Sequence, residues 1–100
     1  MSGTNLLSPQ LAFGRALRAR RLVAGLSQEQ LGLESGVQRN FISLIETGQN
    51  QPTISTLFKL AAALKIRPCE LVMDAECFCL TVAQIPQPVA ILNSPALGAE

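Results

Sequence analysis

The chain has 100 residues, 48% of them hydrophobic and 15% charged, so it can bury one small core and is too apolar for a disordered polar chain. It has no His, Tyr or Trp, and Cys69, Cys77 and Cys79 form neither a CxxC pair nor a set with His; without the usual general base or the zinc and redox spacings, no enzyme, metal or cofactor is expected. The net charge of +1 averages residues 1–67, at +5 with all eight Lys and Arg against Glu29, Glu34 and Glu46, and residues 68–100, at −4 through Glu70, Asp74, Glu76 and Glu100. A polyanion is therefore the expected partner of the first part alone.

Residues 1–8 are small, polar and aperiodic and read as a flexible arm, without the charged and apolar regions of a secretory signal. With three thiols in view, a cytoplasmic location is expected. Pro9 suits a first helical turn, and Phe13, Leu17, Arg21 and Ala24 then recur at helical spacing until Gly25 stops the helix. Arg15, Arg18 and Arg20 point elsewhere, either beside DNA phosphates or as an ordinary solvated face. Ser27 and Gln30 form a capping box that opens a second helix, Gln28 to about Ser35, with Leu31 inward.

Gly36 takes positive φ without steric cost, so Ser35-Gly36-Val37 reads as a tight turn into a third helix near Gln38 to Thr47, with Phe41, Ile42 and Ile45 as its apolar stripe. Gly48 to Pro52 is a turn cluster. Thr53 then caps a fourth helix whose Ile54, Leu57, Leu60, Ala61 and Leu64 follow core spacing. Pro68 opens a fifth, with Leu71 and Val72 inward, and the compact part, residues 9–74, is expected to end near Asp74.

Residues 75–100 change character. Cys77 to Val82 is rich in strand formers, Pro86, Pro88 and Pro95 forbid a continued helix, and a short extended or β tail is expected. Residues 77–99 carry no charge, but Gln84, Gln87, Asn93 and three prolines would leave backbone groups unsatisfied in lipid, so no membrane span is expected. The cysteines are expected to be buried as small hydrophobes.

Within residues 27–48, small Gly32 lets the second and third helices cross closely, while Ile42 and Ile45 anchor the third and leave Gln38, Arg39, Asn40, Ser43 and Leu44 facing out. The order of "LRARRLVAGLSQEQL", the turn "SGV", "ISLIETGQNQPTISTLFKLAAAL" and "PCELV" over about residues 13–72 resembles the Cro/lambda-repressor-like, Xre-type helix-turn-helix regulators. The resemblance implies an all-α, five-helix lambda-repressor-like DNA-binding domain and a double-stranded operator as partner.

It also implies residue roles. Gln28 bonds a DNA phosphate and braces the recognition helix. Gln38, Arg39, Asn40 and Ser43 meet base edges, and Leu44 a thymine methyl. Arg21 pairs with Glu46 as scaffold. The chemistry fits, since Arg pairs bidentately with guanine and Gln or Asn with adenine. Further phosphates are expected at Thr47, Asn50 and the start of the fourth helix at Thr53. Two positions depart from the pattern: Gln49-Asn50-Gln51 is uncharged where relatives carry Lys or Arg, and Gln38 stands where they carry a Ser or Thr cap.

The expected function is a homodimeric, sequence-specific transcriptional regulator, a repressor in the first instance, with two recognition helices about 34 Å apart in successive major grooves. In relatives the fifth helix helps to form the dimer, and the strand from Cys77 to Val82 is expected to add to it. The alternative is an antitoxin-like protein whose tail binds another protein by strand addition or in a groove.

Overall fold

In the computed structural model, which describes residues 7–79, Ser8 sits in extended backbone and its hydroxyl accepts a hydrogen bond from the Leu11 amide at 3.2 Å. That cap, followed by Pro9, starts α1 (Pro9–Val23). Ser27 and Gln30 form both halves of the expected capping box, at 3.0 and 2.8 Å, and open α2 (Gln28–Ser35). Gly36 ends α2 in the left-handed region at φ +78°, its amide donating to the Gly32 carbonyl. α3 (Arg39–Glu46) follows after two residues. Thr53 accepts from the Thr56 amide at 3.1 Å and starts α4 (Ile54–Leu64), and α5 (Pro68–Cys79) completes the set. No strand occurs among the described residues.

Every helix contributes a fully buried aliphatic side chain to one core: Leu17, Leu31, Ile42 and Ile45, Leu60, and Leu71. α1 packs most extensively on α5 and next on α3. Two glycines permit these crossings. A Cβ at Gly32 would lie 2.8 Å from the Val37 carbonyl oxygen, as the close α2–α3 approach requires, and one at Gly14 would lie 2.7 Å from the Glu46 carbonyl oxygen. A Gly inside a helix costs about 1 kcal/mol relative to Ala, so at Gly14 backbone contact between α1 and the end of α3 outweighs propensity.

Three expectations are corrected. α5 runs through Cys79, five residues beyond Asp74, so Cys77, Phe78 and Cys79 are helical and not strand. The reason is tertiary: Arg20 of α1 holds Asp74, Ala75 packs against the core, and the Cys79 thiol donates to the Leu7 carbonyl at 3.3 Å. Those contacts override local strand preference. Val72 and Ile54 are 50% and 70% exposed, because α5 buries only a narrow stripe around Leu71 and Ile54, the first residue of α4, stands at the helix end beyond the core cluster. Cys69 and Cys77 are exposed and Cys79 is half-buried, since that same narrow stripe leaves their positions outside the core. Gln38 precedes α3 at the cap position, as the sequence placed it.

The expected arm before Leu7, and the tail from Leu80 onward, lie outside the described residues. No helix among the described residues is long and apolar enough to cross a membrane.

Candidate nucleic-acid interface

The turn between α2 and α3 is fixed from inside. Ser35 is buried and its hydroxyl accepts from the Val37 amide at 3.2 Å, while Val37 itself is buried. Ile42 and Ile45 then seat α3 in the core with no exposed surface. With that face committed, helical geometry turns the others outward: Gln38, Arg39 and Asn40 are exposed, and Ser43 and Leu44 are half-buried. Arg39 makes no salt bridge among the described residues. Gln38 supplies no side-chain hydrogen bond to the helix it precedes, as expected of a residue replacing Ser or Thr.

Beneath this surface lies a buried polar hub. Glu46, at the end of α3, accepts Arg21 Nε at 2.7 Å on Oε2 and Nη2 at 2.9 Å on Oε1, a bidentate pair between α1 and α3. Arg21 Nη1 also donates to the Leu26 carbonyl at 2.9 Å, and Gln28 Nε2 donates to Glu46 Oε1 at 3.0 Å. Arg21 and Glu46 are 7% and 6% exposed, and no buried side-chain polar atom among the described residues lacks a partner. The hydrogen bond to Glu46 raises the Arg21 pKa above its ordinary value, against the opposing effect of burial, and the attraction of Glu46 adds to the rise. Such forked, charge-assisted bonds are directional, so the hub sets how α3 sits against α1 and α2. Gln28 keeps a second amide hydrogen beyond the one given to Glu46.

At the other end of α3, Thr47 is engaged internally. Its Oγ1 donates to the Ser43 and Leu44 carbonyls at 3.0 and 3.2 Å and accepts from Gln49 Nε2 at 2.9 Å. Thr53 Oγ1 is likewise committed, accepting from the Thr56 amide and donating to Thr56 Oγ1 at 3.1 Å. The exposed amide side chains of Asn50 and Gln51 make no hydrogen bond among the described residues, and α4 begins beside them with the positive end of its dipole.

The structure thus brings Gln28, Arg21 and Glu46 into one network and sets Gln38, Arg39, Asn40, Ser43 and Leu44 on one surface. It removes Arg20 from the phosphate neighbours: Arg20 Nε binds Asp74 Oδ2 at 2.6 Å, and Nη1 lies 3.6 Å from Glu70. The Asp74 hydrogen bond raises the Arg20 pKa. Arg15 and Arg18 remain exposed on α1. Sequence reasoning missed the Leu26 carbonyl and Gly14 as supports of this arrangement; a glycine within the helical run of α1 was the available signal for the second.

The helix-turn-helix family model HTH_3 matches residues 17–71. An uncharacterized HTH-type transcriptional regulator, y4dJ of Sinorhizobium fredii, is 42% identical over 52 residues, spanning 52% of this chain and 68% of that protein. Control protein C.BamHI of Bacillus amyloliquefaciens is 35% identical over 63 residues, 62% of this chain and 78% of that one. Among solved structures, the restriction-modification controller protein C.AhdI of Aeromonas hydrophila matches with a TM-score of 0.61 and 42% identity over 62% of this chain and 94% of its own. With more than half of its length matched by the family model and its helices in the matching arrangement, the chain belongs to the helix-turn-helix family, of the Cro/lambda-repressor-like, Xre type.

Proposed function

We propose that this protein is a sequence-specific regulator of transcription that lays α3 in the major groove of double-stranded DNA, acts as a homodimer on an inverted-repeat operator, and represses by occluding it. The observation that carries the reading is the outward row Gln38, Arg39, Asn40, Ser43 and Leu44 on a helix anchored by Ile42, Ile45 and the Arg21–Glu46–Gln28 hub. An α-helix fits the major groove, and these side chains match its code: Arg39 for guanine, Gln38 and Asn40 for adenine, Ser43 for either, Leu44 for a thymine methyl. Relatives that are regulators and controller proteins by name support the same reading, and none of the roles asks for catalysis or a cofactor. A role on DNA goes with a cytoplasmic location.

Phosphates are held by the free amide hydrogen of Gln28, by Asn50, and by the first backbone amides of α4 at Thr53, whose hydroxyl is already engaged; the Thr47 hydroxyl and the amides of residues 47–50 donate to carbonyls of α3, so Thr47 contributes by fixing this loop beside the phosphate. Self-association uses the exposed apolar residues of α4 and α5: Ile54, Phe58 and Met73. Burying such residues against a second copy also compensates for the small core of a domain this size.

Selection from a random DNA pool at stated salt tests groove reading and dimerisation together. Enrichment of an inverted repeat with half-sites one helical turn apart is the expected result; an unenriched pool, or an enriched single half-site, contradicts the first claim or the second. The antitoxin-like alternative depends on tail residues outside the described region, and no described feature favours it.

A further inference from the structure

Away from the α2–α3 surface, an apolar groove of about 380 Å³ runs along the C-terminal half of α5, lined by Pro9, Val72, Ala75, Glu76 and Cys79. The description of α5 reaches Cys79, itself on the groove wall, and residues 80–100 follow it directly in sequence. Of these, residues 80–99 carry no charge, and Leu80, Val82 and Ile85 precede the first proline, Pro86. We propose that residues 80–85 of the same chain turn back onto this groove and cover Val72 and Ala75 with their own apolar side chains.

Three features single out that occupant. A segment joined directly to the groove wall meets it at an effective concentration in the mM range, far above that of a separate molecule. Groove and segment match in polarity: Glu76 is the one charged group on the wall, and the segment offers none, so a charged peptide of either sign finds no row of partners. Five lining residues also fall well short of the roughly 20–30 a side of a standard protein–protein interface, whereas a few side chains of a tethered strand fit. The inference is independent of the DNA-binding reading.

The absence of Trp and Tyr from the chain gives a clean test, using Ile85→Trp in the full-length protein. The expected emission is blue-shifted and shielded from acrylamide, and identical from nanomolar to micromolar protein. Adding Pro9→Glu should return it to the solvent-exposed value; Glu in a first helical turn suits α1, so the domain itself should keep its circular dichroism and melting curve. Val72→Glu, at a half-exposed position on the α5 wall, should act alike. A reporter that is solvent-exposed from the start overturns the proposal, and so does shielding that neither substitution relieves. Shielding that appears only as concentration rises assigns the groove to a second copy and equally overturns it.

Discussion

The two sides of this domain solve opposite problems. On the α2–α3 side the outward residues are mostly polar, and the helix that carries them is held by fully buried Ile42 and Ile45 and by an ion pair whose buried polar atoms all find partners among the described residues. On the α4–α5 side, Ile54, Phe58, Val72 and Met73 stand half exposed or more, and α5 is fastened mainly by its stripe around Leu71 and by Arg20. A rigid polar face suits a ligand read by hydrogen bonds, which demands fixed donors. An exposed apolar face suits association, where burial of area supplies the free energy.

That contrast breaks first at Glu46. Glu46→Ala leaves Arg21 a buried charge without its partner and should cost about 3–5 kcal/mol, as removal of one member of a buried pair does; urea unfolding measures it. Gly14→Ala forces a methyl group against the α3 backbone and should cost about 1–3 kcal/mol by overpacking, again in urea, with helix content unchanged below the transition. On the other side, Met73→Asp should leave unfolding of the monomer nearly unchanged while raising the dissociation constant of the proposed dimer by about tenfold or more, roughly 1.4 kcal/mol. Sedimentation equilibrium decides this, and an unaltered constant removes α5 from the interface.

Two smaller effects sharpen the picture. Lys65 ends α4 at φ +61°, the one non-glycine residue with positive φ among the described residues. Lys65→Gly relieves that strain against a more flexible unfolded chain and should stabilise by about 0.5–1 kcal/mol. Gln28→Ala should weaken binding to all DNA sequences alike; a loss confined to one base position would reassign Gln28 to base reading.

What could be read from the sequence was what is local. Caps at Ser27 and Thr53, the turn at Gly36, and helical spacing through α1 to α4 act within a few residues, and each stands where its pattern placed it. The pairing of Arg21 with Glu46 was also legible, through the family pattern. The extent of α5 was not: it depends on Arg20 reaching Asp74 across 54 positions and on Cys79 meeting Leu7 across 72, and a run of strand formers carries no trace of such partners. The exposure of Val72 and Ile54 was missed for a related reason, since periodicity gives the stripe's centre and the packing partner gives its width. For the site, the outward row on α3 followed from where Ile42 and Ile45 must point, whereas the engagement of the Thr47 and Thr53 hydroxyls with their own helices needed coordinates.

The central claim is that Arg39 and its neighbours read bases. Anisotropy titrations of the native protein and Arg39→Ala, on the selected operator and on random duplex at one salt concentration, test it most directly. The expected result is a loss of about 1–3 kcal/mol on the operator, relaxed preference at one base pair per half-site, and little change on random DNA. Equal losses on both duplexes, or native protein that prefers neither, would contradict it.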